Sequence, residues 1–178
     1  MSIHRVCLKI NGLNYSFEIP STERLIDTLR YRIGLMSVKE GCGRGECGNC
    51  IVIVNGLPRH SCLILTARLD GAEITTLEGI ALPGKLHAIQ VAFIESGGIQ
   101  CGFCVPGFIM VAKALIDHDP KPSREKIIEW LSSVLCRCGS YYYYVRAVEK
   151  AIKYINEGKL FFDEREIREK YSGEIIGD

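Results

Sequence analysis

Apolar and polar residues alternate from Ile3 to Ile19 on both sides of Asn11-Gly12. Period-two patterning around an Asn-Gly pair predicts two β-strands joined by a type I′ turn, in which both turn residues take positive φ. Ser21 or Thr22 is placed to cap a helix whose apolar residues Leu25, Ile26, Leu29 and Ile33 follow helical spacing up to Gly34. A second hairpin is predicted where Ile51 to Val54 and Leu57 to His60 flank Asn55-Gly56, and Glu73 to Thr76 supplies a closing strand. Strands curling around one helix predict a β-grasp domain over residues 1–78.

From Gly84 onward the spacing becomes helical. Leu86, Ile89, Val91, Phe93 and Ile94 belong to one segment, broken at Gly97-Gly98. Pro106 fits the first turn of a second helix carrying Phe108, Ile109, Val111, Ala112 and Leu115, which Pro120 and Pro122 stop. Ser123 opens a third helix with Ile127, Ile128, Trp130 and Leu131, and a fourth runs from about Tyr143 to Ile155. Residues 79–156 therefore read as a four-helix domain, and the fold class is α+β. Beyond Asn156, seven acidic residues stand against four basic ones, interrupted by Phe161-Phe162 and Ile175-Ile176. Residues 157–178 read as a charged C-terminal tail, either a partly ordered surface segment or one whose phenylalanines dock on a partner. Tyr141 to Tyr144 cannot all face one core, so some must meet solvent or an interface.

Composition narrows the function. With 178 residues, 47% hydrophobic and 24% charged, the chain is of ordinary globular character. A net charge of +1 offers no electrostatic footprint for nucleic acid. No apolar run approaches a membrane span, and Met1 to Val6 leads straight into strand alternation, so the expected location is cytoplasmic. Nine cysteines in such a chain point to metal thiolates rather than disulfides. Cys7, within Val6-Cys7-Leu8, is the one left over and reads as a small buried hydrophobe.

Cys42, Cys47 and Cys50 are spaced C-x4-C-x2-C and, with Cys62, reproduce the plant-type arrangement that holds a [2Fe-2S] cluster through four thiolates. The glycines among them allow a tight loop whose N–H groups turn toward sulfur. Gly43, Gly45 and Gly48 also fit G-x-G-x-x-G, with Asp70 at a ribose-binding distance, but a dinucleotide fingerprint must open a helix and this one precedes the strand Ile51 to Val54. Cys101-x-x-Cys104 and Cys136-x-Cys138 make a second set of four. C-x-x-C alone equally suits a zinc knuckle or a redox dithiol, whereas C-x-C is cramped for a zinc ribbon. None of His4, His60, His87 and His118 shares a ligand spacing with another, and all read as structural.

With these motifs in order, the chain resembles the small iron-sulfur subunit of the xanthine oxidase family of molybdenum hydroxylases. The resemblance rests on Gly41 to Cys50 with Cys62, on Gln100-Cys101-Gly102-Phe103-Cys104-Val105-Pro106-Gly107, and on Leu135-Cys136-Arg137-Cys138. It implies a β-grasp plant-type ferredoxin domain binding one [2Fe-2S] cluster on Cys42, Cys47, Cys50 and Cys62, and a helical domain binding the second on Cys101, Cys104, Cys136 and Cys138. It further implies a large partner subunit carrying molybdopterin and a medium partner subunit carrying FAD, in a heterotrimer that oxidises an aldehyde or similar small substrate. Electrons would pass from the molybdopterin through the helical-domain cluster, then the plant-type cluster, to flavin. Gln100 and the Cys138 region would face the pterin, and no catalytic residue lies in this chain. One departure is Gly139-Ser140-Tyr141 where the family usually has Thr-Gly-Tyr. A free two-cluster ferredoxin and a zinc-stabilised module are the alternatives; the near-neutral charge argues against the first, since diffusing ferredoxins usually carry an acidic surface.

Overall fold

Both Asn-Gly pairs make the turns their flanking alternation requires. In the computed structural model, which describes residues 2–172, β1 (Ile3–Ile10) and β2 (Leu13–Pro20) pair antiparallel with Ile10 opposite Leu13. Asn11 and Gly12 take φ of 50° and 82°. The turn recurs at Asn55 and Gly56, with φ of 49° and 80°, between β3 (Ile51–Val54) and β4 (Leu57–His60). β5 (Glu73–Thr75) enters between β1 and β3, parallel to the first and antiparallel to the second, giving the order β2-β1-β5-β3-β4.

The helix beneath this sheet starts later than Ser21 or Thr22 would place it. Arg24 stays extended because it bridges to Leu65, and the Leu25 N–H donates to the Ile64 carbonyl at 2.8 Å. The helix α1 (Leu25–Asp27) then widens into a π-helical turn over Thr28–Ile33, ended by Gly34 at φ 85°. Its Leu25, Ile26 and Leu29 join Val6, Leu8, Ile10, Ile19 and Ile74 in one core. Those three β1 residues occupy alternate positions, which puts Cys7 on the opposite face. Cys7 is therefore exposed rather than buried, beside Ser16.

The second half opens with a short strand where helix was expected. β6 (Lys85–His87) precedes α2 (Ala88–Ile94), and His87 caps that helix by accepting the Ile89 N–H on Nδ1 while Gln90 accepts the His87 N–H. Next come α3 (Val105–His118), α4 (Arg124–Leu131), capped by Ser123, and α5 (Tyr141–Asn156). Phe93, Phe108, Leu115 and Tyr144 centre a second core, which also takes Ile51 and Ile53 from β3. With Val52 and Val54 in the first core, β3 is buried on both faces and joins the two halves.

The segment beyond Asn156 is more than a tail. β7 (Phe161–Asp163) pairs with β6, and α6 (Glu164–Ser172) follows. Phe161 lies edge-on to His87 at 5.6 Å and Phe162 packs on Tyr154 at 4.9 Å, so both phenylalanines dock on their own chain. Lys170 completes the strap by pairing with Glu95 at 2.8 Å. Ile175 and Ile176 lie outside the described residues. Among those described, no helix is long and apolar enough to cross a membrane.

Candidate metal centres

In each cysteine set the thiols approach in pairs. Cys47 meets Cys42, and Cys50 meets Cys62. In the helical half the Cys101 and Cys138 sulfurs stand 3.5 Å apart, and Cys104 contacts Cys136. Among the described residues no three His, Cys, Asp or Glu side chains gather as the ligand set of a single ion. Two thiolates for each of two irons is the division a [2Fe-2S] cluster makes of four cysteines, and the donor set fits that group.

The plant-type loop supplies N–H groups as its glycines suggested. Arg44, Glu46 and Cys47 donate their backbone N–H to Cys42 Sγ at 3.4, 3.3 and 3.4 Å. Those bonds, led by the one from Arg44, hold the Cys42 thiol down at about 7. Burial pushes Cys50 the other way, up to about 12. Arg24, bonded to Glu40 at 2.6 Å and to Asp27 at 2.8 Å, ties the loop's entrance to α1. Gly43, Gly45 and Gly48 all take positive φ, and Asp70 turns away to accept the Cys7 N–H at 2.8 Å, so no ribose partner faces the loop.

In the helical half, α3 begins directly after Cys104, with Pro106 in its first turn. Cys136 and Cys138 sit on the turn between α4 and α5. Cys104 is buried and its thiol is pushed up to about 12, chiefly by burial. Burial also acts against Cys136, yet the Ser140 N–H at 3.4 Å and the Cys104 thiol outweigh it and lower that group. Tyr141 accepts the Cys136 N–H at 2.8 Å, and the buried Tyr144 hydroxyl lies 3.9 Å from Cys104 Sγ. Cys101 and Cys138 are exposed. Gln100, also on that side, donates its amide to the Cys138 carbonyl at 3.2 Å and to Ser140 Oγ at 3.4 Å.

The two sites touch through main chain. The Leu135 N–H donates to the Cys47 carbonyl at 2.9 Å, one residue before Cys136. Gly48 lies so close to the turn ahead of Cys136 that a Cβ there would stand 2.2 Å from the Ser133 carbonyl oxygen and 2.8 Å from Val134 Cα. The sequence singles out all eight ligand candidates but assigns no role to Leu135, Ser140 or Tyr144. The departure at Gly139-Ser140 and the tyrosine run were the available signals. Of the histidines, His87 caps α2 and His118 stacks on Trp130 at 6.1 Å.

Fold and thiol pairing together define a two-domain [2Fe-2S] protein. Residues 8–77 match the 2Fe-2S iron-sulfur cluster binding domain and residues 76–149 the [2Fe-2S] binding domain. The chain is 46% identical over 146 residues to the nicotinate dehydrogenase small FeS subunit of Eubacterium barkeri, a match covering 82% of this chain and 93% of that one. It is 40% identical over 173 residues to the aldehyde oxidoreductase of Megalodesulfovibrio gigas, covering 96% of this chain but only 19% of that much longer one. Among solved structures, quinoline 2-oxidoreductase from Pseudomonas putida 86 superposes with a TM-score of 0.83 at 34% identity, covering 89% of this chain and 99% of the matched one. The chain belongs to the small iron-sulfur subunits of the xanthine oxidase family of molybdenum hydroxylases.

Proposed function

We propose that this chain is the electron conduit of a molybdenum hydroxylase, holding one [2Fe-2S] cluster on Cys42, Cys47, Cys50 and Cys62 and another on Cys101, Cys104, Cys136 and Cys138. Bound there, the clusters supply one-electron carriers between a two-electron oxidation elsewhere and its acceptor. The chain's own part is to fix their separation and exclude water. The observation that carries the reading is the 2.9 Å bond from the Leu135 N–H to the Cys47 carbonyl, which gives a short bonded route from beside Cys136 to a ligand of the other site.

Exposure supports a direction. The helical site opens to the surface at Cys101 and Cys138, and the chain neighbours of its cysteines include the exposed apolar side chains of Ile99, Phe103 and Leu135. This is the face on which a large molybdopterin subunit would dock, with Gln100 turned toward the pterin. A medium FAD subunit would take electrons from the plant-type site, and the substrate would be an aldehyde or similar small molecule. Residues 1–78 and 79–156 would be the two cluster-binding units, in a cytoplasmic enzyme.

Affinity purification of the full chain from its own cells, with metal, sulfide and flavin assay, tests this. About four irons and four sulfides per chain, with molybdenum and FAD copurifying, is the expected result. A chain that purifies alone with its irons is a free two-cluster ferredoxin. Stoichiometric zinc sinks both readings. The chain by itself is expected to turn over no substrate.

A further inference from the structure

We infer that Tyr144 is a positioning residue that sets the reduction potential of the helical-domain site, by donating its hydroxyl proton to Cys104. This inference rests on the assignment of Cys104 and Cys136 as cluster ligands. Tyr144 is 1% exposed, closed in by Phe93 at 5.1 Å and Phe108 at 4.7 Å between ring centres, so water cannot replace its partner. Its hydroxyl stands 3.9 Å from Cys104 Sγ, the long end for a sulfur acceptor. A metal-bound thiolate carries no proton, so the tyrosine must be the donor.

Tyr144 does not act alone. Ser140, also 1% exposed, touches the Tyr144 hydroxyl and donates its N–H to Cys136 Sγ, while Gln100 donates to Ser140 Oγ at 3.4 Å. Both buried thiolates are thus met by hydrogen-bond donors from one dry cluster, linked by Gln100 to the exposed face. One-electron reduction adds negative charge to the sulfurs. A donor aimed at them stabilises the reduced form more than the oxidised form and raises the potential. In low dielectric that difference is large for a single bond.

The test is redox titration of the reconstituted full chain, following the electron paramagnetic resonance of each reduced site. The helical-site signal is the one that Cys101→Ser alters. Tyr144→Phe is expected to lower the reduced-to-oxidised ratio of that site about threefold to tenfold at fixed ambient potential, where tenfold corresponds to about 59 mV for one electron. The plant-type signal should stay in place, and Tyr143→Phe should move neither. An unchanged helical-site midpoint in Tyr144→Phe overturns the inference, whereas fewer than two signals in the wild-type chain overturns the ligand assignment beneath it. Should Tyr144→Phe lose its cluster, 3-fluorotyrosine at position 144 decides. This stronger donor should raise the ratio, and an unchanged or lowered ratio overturns the role.

Discussion

At Cys42 the sulfur is met by three main-chain N–H groups from within its own loop, whereas Cys104 is met by Tyr144 in the first turn of α5 and Cys136 by Ser140 just ahead of that helix. The first arrangement is local and built from glycine-permitted backbone. The second is assembled across the sequence, with Gln100, Cys104, Ser140 and Tyr144 brought together only by helix packing. Exposure differs as well. Cys47, Cys50 and Cys62 are all buried, while the helical site keeps Cys101 and Cys138 at the surface. A local loop can be closed and general, and an assembled site can be open on one side and adjusted residue by residue on the other.

The sharpest way to break this contrast is to separate the sites. Gly48→Ala would drive a Cβ into the Ser133 carbonyl at a φ of 70°, against the Ser133–Val134 backbone rather than a side chain free to yield. The expected cost is about 3 kcal/mol, lowering thermal stability and the occupancy of both sites together. If only the plant-type site suffered, the two would be less tightly joined than the contact implies.

Next in size is a matched pair of ligand changes. Cys47→Ser, in the closed loop, should remove its cluster and take the iron content from about four to about two per chain. Electron delivery to the acceptor should fail while substrate binding by the assembled enzyme persists. Cys101→Ser, at the open face, should leave a cluster in place with an altered spectrum. Equal iron loss from both variants would erase the distinction between closed and open sites.

A smaller effect concerns the strap. Burial opposes the Glu95 carboxylate, yet Lys150, Lys170 and Tyr154 outweigh it and hold the group down at about 2. The stability it contributes is present above about 4.5 and is lost as pH falls toward 2. His87, kept neutral by burial with a pKa near 4, acts in the same direction: the unfolded chain takes up its proton first, so stability falls as pH drops from 6.5 toward 4. Hydrogen exchange across α6 should therefore rise in acid before exchange in β1, and Glu95→Gln should bring that loosening to neutral pH. The smallest change expected is Cys7→Ser, within about 0.5 kcal/mol by denaturant melt, because that thiol faces solvent.

The sequence made the hairpins legible because an Asn-Gly pair at two strand ends has few other uses. The eight candidate ligands stand out because thiol spacing is itself the chemistry. Cys7 reads as buried only if the alternation around it is ignored, since Val6, Leu8 and Ile10 already claim the buried face. The late helix start at Leu25 was not legible, since it depends on Arg24 pairing with Leu65, a partner about forty residues away in the chain. Ser140 and Tyr144 were hidden for the same reason. Nothing in a tyrosine run says which ring will meet a sulfur until α3 and α5 have packed.

The double burial of β3 bears on modularity. Ile51 and Ile53 belong to the helical core although they are carried by the ferredoxin half. A fragment ending near residue 78 would present both side chains to water and invite aggregation through that apolar sheet face. Recombination that replaced this ferredoxin half with a free-standing one would bring a strand polar on one side, and the graft would fail at that seam even with every ligand in place.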